Sequence, residues 1–363
     1  MPDSRTALHD RKVVFVSGNE SFTMRDLIDW ASFRGELEPI WKDLLRLVAC
    51  ENKAAELDLE LDDSAIDAAA EGFRYERDLI TAEETEHWLE ERGLTLSDFS
   101  DYFVRHHWGN VVEDDIEPAQ VDYLSAPDDL RELLTVELIL SGELDQIAIR
   151  LSWRVAGSRA VGSDGPDLQS IAAGKTRFFK RIGIDESELH DWLGRLGRDP
   201  EWFSNALSME AIHRGEREAL LTKQARQHEV AALRLPLTRF ELETVELDSY
   251  DAAREALLCV RDDEMSMAEV AAEGRYRYRC AEILLEDLPE DLQQKFLSVS
   301  AGDILEPIPR GDGFHLCRVI EKMEPNVDDL AVKDRAEKRI LERHFAELTA
   351  KYIQWRTVST STQ

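Results

Sequence analysis

The sequence predicts an α+β protein that is mainly helical, and three observations lead to this prediction. Apolar residues recur at helical spacing through roughly the first two thirds of the chain. Near residue 236 the spacing changes to alternation, which predicts a strand of a small α/β domain. Beyond residue 326 helical spacing returns and predicts one long C-terminal helix.

An internal duplication organises the helical part, since two landmarks recur in the same order at an offset of roughly 105 residues. The first landmark consists of residues 24–28 and 35–37, and it recurs as residues 130–134 and 142–144. The second consists of residues 87–89, Gly93 and Phe99, and it recurs as residues 191–193, Gly197 and Phe203. One helical unit therefore occurs twice. The sequence leaves open whether the two copies pack on each other or stand apart.

Helix ends can be placed inside the helical part. Thr81 and Glu84 form a capping-box pattern, and Gly93 suits the end of the same helix. Trp88 and its counterpart Trp192 stand beside leucines at helical spacing. This spacing predicts that both side chains pack in the core, in preference to stacking on a ligand. A polar helix is predicted over residues 214–234, because a proline follows at position 236.

The charge of the chain restricts its partners. With 75 Asp and Glu against 44 Lys and Arg, the formal net charge is -31, which repels a nucleic-acid backbone and an anionic membrane surface. A neutral or basic polypeptide remains compatible. Neither a run of eighteen apolar residues nor a signal-peptide apolar region occurs, so we expect a cytoplasmic protein.

Metal and cofactor sites are not predicted. The four cysteines are widely spaced without a CxxC pair, and His106 and His107 are adjacent on a helix, where their rings point about 100° apart. The glycine-rich loop near residue 162 lacks the spacing and the flanking strand of a phosphate-binding loop. We therefore expect free thiols in a reducing compartment, and no cofactor.

The segment after residue 236 has patterns of its own. Alternation over residues 240–246 predicts a strand, and helical spacing predicts helices over residues 250–260, 266–271 and 288–299. A tight turn at Gly311, Asp312 and Gly313 predicts a hairpin into a further strand that ends near Val319. The segment is therefore a small mixed domain.

This order of elements resembles the parvulin family of peptidyl-prolyl isomerases. The best-matching piece runs from residue 288 to 319 and contains the strand Gly313-Phe314-His315-Leu316. The flanking helices are similar to those of SurA-like chaperones, and relatives without export signals are associated with peptide maturation systems. The resemblance implies SurA-N-like helical repeats over residues 11–125 and 126–235, a parvulin-like domain over 236–325, and a helix over 326–357 that packs back on the repeats.

The closing helix has its own signals. Asp328 and Asp329 can cap its first turn. Its apolar stripe, at spacings of three and four residues, consists of Leu330, Ala336, Ile340, Leu341, Phe345, Leu348, Tyr352 and Trp355.

The resemblance also implies a candidate active site. His315 matches the last-strand histidine of active parvulins, whereas Glu241 stands where the family has its first-strand histidine. A glutamate facing His315 would raise the pKa of the imidazole and change the hydrogen bonding of the site. The apolar residues expected to contact a peptide are Phe240, Leu242, Leu288, Leu292, Phe296 and Phe314.

A basic and aromatic strip replaces the glycine-rich stretch of the family. It consists of Arg275, Tyr276, Arg277, Tyr278 and Arg279. Its arginines and rings could bind an acidic peptide. Equally, the arginines could neutralise acidic neighbours within the fold, and the sequence does not decide between the two.

Three functions follow from this reading. The first is a polypeptide-binding chaperone or escort for a precursor peptide, with a degenerate parvulin domain. The second is an active prolyl isomerase, and the third is a scaffold subunit that docks a peptide-modifying enzyme or an exporter. The missing first-strand histidine favours the binder over the isomerase.

Overall fold

The computed structural model describes residues 10–112, 116, 118–162, 165–311 and 313–356. Helices form most of this part of the chain, and two small antiparallel sheets accompany them. The predicted class, α+β and mainly helical, is confirmed. Among the described residues no helix is both long and apolar enough to cross a membrane.

The helices are numbered along the described chain. They are α1 (Met24–Phe33), α2 (Leu37–Glu56), α3 (Asp63–Glu76), α4 (Ala82–Arg92), α5 (Leu96–Val111), α6 (Asp128–Leu140), α7 (Glu143–Val161), α8 (Leu168–Ile182), α9 (Leu189–Leu196), α10 (Pro200–Leu220), α11 (Lys223–Ala232), α12 (Tyr250–Arg261), α13 (Met267–Gly274), α14 (Glu290–Ser298) and α15 (Leu330–Tyr352).

The strands form two sheets. They are β1 (Val13–Ser17), β2 (Glu20–Thr23), β3 (Arg239–Leu247), β4 (Arg277–Leu284), β5 (Ile308–Arg310), β6 (Gly313–Met323) and β7 (Gln354–Trp355). The first sheet has the order β2-β1-β7, and the second has the order β4-β3-β6-β5.

The chain folds as two compact units. Unit 1 contains residues 1–217 together with 344–363, and unit 2 contains residues 218–343. Both predicted helical repeats lie mainly in unit 1. The four segment bounds derived from the sequence stay a prediction.

The two halves of unit 1 carry the same succession of five described helices, α1–α5 and α6–α10. The landmark residues occupy equivalent places in both. Gly93 and Gly197 cap α4 and α9 in the left-handed conformation, at φ 77° and 75°. A β-carbon is strained in that conformation, which explains why glycine stands at both helix ends.

The helix signals in the first half are those read from the sequence. The Thr81 hydroxyl accepts a hydrogen bond from the Glu84 backbone N–H, and the Glu84 carboxylate accepts one from the Thr81 N–H. Trp88 packs edge-on against Phe73, with ring centroids 5.5 Å apart. Trp192 is buried among core aromatic rings, so both tryptophans are core residues.

One hydrophobic core joins the two halves of unit 1. Phe33 of α1 stacks on Phe178 of α8 at 5.1 Å and meets Phe203 of α10 edge-on at 5.9 Å. Trp30 likewise contacts Trp202 at 6.1 Å. The first helix of the first half therefore packs into the second half, which answers the question that the sequence left open.

The small sheet of unit 1 was not predicted. β1 pairs with β2 in a hairpin and with β7 on its other side. Phe15 of β1 is fully buried between Phe22 and Trp355, with ring centroids at 4.7 and 5.4 Å. Trp355, expected on the last helix, instead belongs to β7, because α15 ends at Tyr352.

The closing helix is capped as predicted. The Asp329 carboxylate accepts a hydrogen bond from the Ala331 N–H at 2.9 Å. Leu330, expected in the apolar stripe, is exposed. From His344 onward the helix belongs to unit 1, where Phe345 stacks on Trp153 at 5.1 Å.

Unit 2 is built on the four-stranded sheet. Helices α12 and α13 cover one face, where their apolar residues pack with Val245, Leu247 and Leu316. Helix α14 covers part of the other face through Phe296. The polar helix predicted over residues 214–234 is interrupted, because the Thr222 hydroxyl caps a new helix by accepting from the Ala225 N–H.

Candidate functional site

The four-stranded sheet of unit 2 positions the candidate active-site residues. His315 lies on β6, opposite Glu246 of β3 and Ile308 of β5. Residues that pair across a regular ladder point to the same side of a sheet. We call this side the His315 face, and its members on β3 and β6 are Phe240, Leu242, Thr244, Glu246, His315, Cys317 and Val319.

The His315 ring lies half-buried among charged neighbours. Glu246 forms an ion pair with Arg279 of β4, and the distance between Arg279 Nε and Glu246 Oε1 is 3.1 Å. Burial lowers the pKa of His315 first, and the positive charge of Arg310 lowers it further, although Glu246 acts in the opposite direction. The imidazole is therefore neutral at pH 7.

A thiol and a hydroxyl lie next to His315 on the same face. Cys317 Sγ and Thr244 Oγ1 are 3.7 Å apart. Burial raises the pKa of the Cys317 thiol, so the side chain stays protonated. This pair is a polar contact within the sheet and not an activated nucleophile.

The apolar end of the His315 face is mostly core. Phe240 and Phe296 are fully buried and meet edge-on at 5.5 Å, and Leu242 is buried beside them. These three residues are buried where α14 packs on the sheet, and their contact with a peptide stays a prediction. Leu288 and Leu292 are half-buried at the margin of the same cluster and are accessible in part.

Glu241 does not face His315, which corrects the central expectation from the sequence. It lies opposite Glu321 of β6 and Glu282 of β4, five positions from Glu246 and on the other side of the sheet. Five residues of strand span about 17 Å. The pKa of His315 is accordingly lowered by its actual surroundings and not raised by Glu241.

Phe314 also lies away from the His315 face. It pairs with Leu247 and packs edge-on against Tyr250 at 5.5 Å, within the core below α12 and α13. Alternation along β6 requires this, because neighbouring residues of a strand point to opposite sides. Phe314 is therefore a half-buried residue at the margin of that core, on the side of the sheet away from His315.

The basic strip is divided between three environments. Arg275 ends α13 with a φ of 56°, and Tyr276 is half-buried against the core below α12 and α13. Arg277, Tyr278 and Arg279 are exposed on β4, the edge strand of the sheet. The strip therefore does not form one continuous surface.

Two members of the strip are engaged within the sheet. The Tyr278 hydroxyl lies 3.2 Å from the Cys280 thiol and donates to Glu243 at 2.6 Å. The Cys280 contact first, and then the hydrogen bond to Glu243, raises the pKa of the tyrosine. Arg279 forms the ion pair with Glu246 described above. For these two residues the structure supports the neutralising role over the peptide-binding role.

The adjacent histidines of unit 1 do not share a ligand. His106 Nε2 is 2.9 Å from Glu137 Oε1, and its ring contacts Tyr102. The His107 ring contacts Trp108. No group of three His, Cys, Asp or Glu side chains suited to a metal occurs in the part of the chain that the structure describes.

Sequence reasoning missed a cavity in unit 1. It has a volume of about 570 Å³ and lies between β2, α1, α7 and α10. Its lining includes the β1–β2 hairpin, which the sequence signals by the apolar, valine-rich run of residues 13–16, a Gly18-Asn19 turn and a second short run.

Comparison with known proteins gives structural matches alone. No protein-family model and no curated protein sequence matches the chain. The peptidylprolyl isomerase PrsA of Bacillus cereus aligns over 64% of this chain and 91% of its own at 8% identity, with a TM-score of 0.36. PrsA of Bacillus anthracis aligns over 56% of this chain and 94% of its own at 12% identity, with a TM-score of 0.30.

A third solved structure comes from a study of two SurA-like chaperones of Campylobacter jejuni, PEB4 and Cj1289. It aligns over 60% of this chain and 89% of its own at 10% identity, with a TM-score of 0.20. By their descriptions these solved structures are peptidylprolyl isomerases or SurA-like chaperones.

Proposed function

We propose that the protein is a polypeptide-binding chaperone whose parvulin-like unit has lost efficient prolyl isomerisation. One observation carries this proposal: the residue opposite His315 on β3 is Glu246, which is paired with Arg279. His315 is the single histidine of the described strands in this sheet. The paired histidines of active parvulins therefore have no equivalent here.

The chemistry of the face supports binding over catalysis. Rotation about an X–Pro bond has a barrier of about 18–20 kcal/mol, and lowering it requires groups that favour the twisted amide. Here a neutral imidazole stands beside a carboxylate that an arginine already holds, and the nearby thiol is buried and protonated. The half-buried Leu288 and Leu292 leave an apolar margin that an extended chain can contact.

Two measurements on the full chain test this function. We expect the protein to suppress aggregation of a chemically unfolded client at near-equimolar ratio. We also expect cis–trans exchange of an Ala-Pro peptide, measured by NMR, to stay at its uncatalysed rate. Failure to bind or protect any unfolded client would overturn the proposal.

Prolyl isomerisation is the second candidate, because His315, Cys317 and Thr244 lie on one face beside an apolar cluster. The variant His315→Ala decides between the two. His228→Ala is the matched control, since His228 is an exposed residue of the same unit. Accelerated exchange that His315→Ala abolishes and His228→Ala preserves would establish the isomerase.

The proposal also names a kind of client and a kind of partner protein. A precursor peptide as client, and a peptide-modifying enzyme or exporter as partner, fit a chain whose net charge of -31 steers basic or neutral surfaces toward it. The four described cysteines are free thiols, which supports work in a reducing compartment such as the cytoplasm. Co-purification of one protein partner without any peptide affinity would favour the scaffold function instead.

A further inference from the structure

The cavity of unit 1 opens beside an unpaired strand edge. Among the described strands β2 pairs with β1 alone, so within this part of the chain its other edge has no strand partner. Glu20 and Ser21 of β2 are exposed and line the cavity together with Phe22. The backbone N–H and C=O groups of such an edge can pair with another extended chain.

The floor of the cavity is aromatic and held in place by the core. Trp202 is half-buried and contacts Trp30 at 6.1 Å and Phe33 at 5.9 Å. Phe22 stacks on the buried Phe15, and Met209 lies about two helical turns along α10 from Trp202, on the same side of the helix. A large apolar side chain would therefore meet a preformed surface with an adaptable methionine at its margin.

The rim of the cavity is polar, and its charges are already compensated. Arg159 pairs with Glu20 at 2.8 Å, and Asp26 accepts from Arg198 at 2.6 Å. Ser158, Asn205 and Ser208 add neutral hydrogen-bonding groups. A charged side chain would find no free counter-charge among these groups, which favours a neutral one in the cavity.

We propose that an extended polypeptide adds a strand to the free edge of β2 and inserts a large apolar side chain into this cavity. The proposal rests on the chaperone function and names its binding site. Backbone pairing supplies sequence-independent affinity, and the cavity selects the side chain at one position. Because the net charge of the chain is -31, the preferred segments carry neutral or basic residues beside the apolar one.

Calorimetry on the full chain tests the site. The probe is a seven-residue peptide with a central phenylalanine flanked by lysine and threonine. Ser208→Arg fills the cavity, whereas Ser204→Arg introduces the same side chain at an exposed position of the same helix. We expect Ser208→Arg to weaken binding at least tenfold and Ser204→Arg to leave the Kd within twofold.

A second test uses the unaltered protein, so it does not depend on whether a variant folds. Methylation of alternate backbone nitrogens in the peptide removes the donors that would pair with β2. We expect methylation on the pairing side to weaken binding at least tenfold and methylation on the other side to leave it unchanged.

The outcomes separate this site from the general function. If neither Ser208→Arg nor backbone methylation changes the Kd of the peptide, the proposed site is wrong and the chaperone function is unaffected. Absence of any peptide binding would overturn both. A dimer that Ser208→Arg dissociates, without peptide affinity in the monomer, would show that a second copy occupies the edge and would overturn the peptide proposal.

Discussion

At the scale of single residues, His213 is a buried base that the fold keeps neutral. Its ring is 5% exposed and lies 4.7 Å from the Phe345 ring. Burial first, and then the positive charge of Arg154, lowers the pKa of His213 to about 3, although Glu210 acts in the opposite direction. Protonation is therefore far easier in the unfolded chain than in the folded one.

The stability linked to His213 depends on pH with a definite sign. It is fully present above pH 6.5, the unfolded pKa, and is lost as the pH falls toward 3. At pH 5 the loss is about 2 kcal/mol relative to pH 8. We expect His213→Phe to remove this contribution, so that its free energy of unfolding changes less between pH 8 and pH 5 than that of the wild type.

Urea titrations at the two pH values measure the difference. His190→Phe, at an exposed position of α9, is the control and should keep the pH dependence of the wild type. Equal pH dependence in His213→Phe and wild type would contradict the assignment.

At the scale of helices, one half-buried carboxylate links three elements of unit 1. Glu210 of α10 pairs with Arg154 of α7 at 2.5 Å and with Arg34 at the end of α1. Its two arginine partners lower the pKa of Glu210 to about 2, against the effect of burial. Arg154 is 4% exposed, so it has little access to water as an alternative partner.

We expect Glu210→Gln to lower the free energy of unfolding by about 3–5 kcal/mol, because it leaves a buried guanidinium without its counter-charge. Glu201→Gln, at an exposed position of the same helix, should change it by less than about 0.5 kcal/mol. Denaturant unfolding of the three proteins gives the comparison. A loss in Glu210→Gln no larger than in the control would show that the ion pairs carry no stability.

The sequence predicts those features whose interacting residues are close together along the chain. The capping box of Thr81 and the cap of Asp329 were predicted because both partners lie within three residues. Glu241 was misplaced because the position opposite His315 depends on the register between β3 and β6, including an irregularity at Glu241 and Leu242. No local pattern encodes that register.

In the candidate site, too, local features follow from the sequence and features of the assembled sheet do not. The strand that carries His315 is predicted correctly, whereas its lowered pKa comes first from burial and then from Arg310, which are contributions of the assembled sheet. Phe240, Phe296 and Phe314 were recognised as apolar but were taken for accessible walls. A sequence does not show which apolar residues hold helices on a sheet and which remain at its margin.

At the scale of the whole molecule, unit 1 is assembled from two distant segments. Ile353 is buried in its core, and the Arg356 N–H donates to the Val14 carbonyl at 2.9 Å. The short strand β7 thereby completes the sheet around β1. The segment after α15 is thus a structural part of a unit that begins more than three hundred residues earlier.

We expect Ile353→Ala to destabilise the protein by about 2–5 kcal/mol, as large-to-small substitutions in a core do. Amide hydrogen exchange in residues 13–17 should accelerate, because β1 loses its fixed neighbour. Lys351→Ala, at an exposed position two residues earlier, should alter neither quantity. Unchanged exchange in β1 after Ile353→Ala would mean that β7 does not protect the sheet.

The pairing of β1 with β7 also sets an order of events during translation. A ribosome adds about 5–20 residues per second, so the 337 residues between Ser17 and Trp355 take about 20–70 s to emerge. Throughout that interval Phe15 lacks its Trp355 contact, and one side of β1 stays open to other nascent chains or to cellular holdases. Synthesis rate, and not only sequence, therefore bears on the yield of the finished protein.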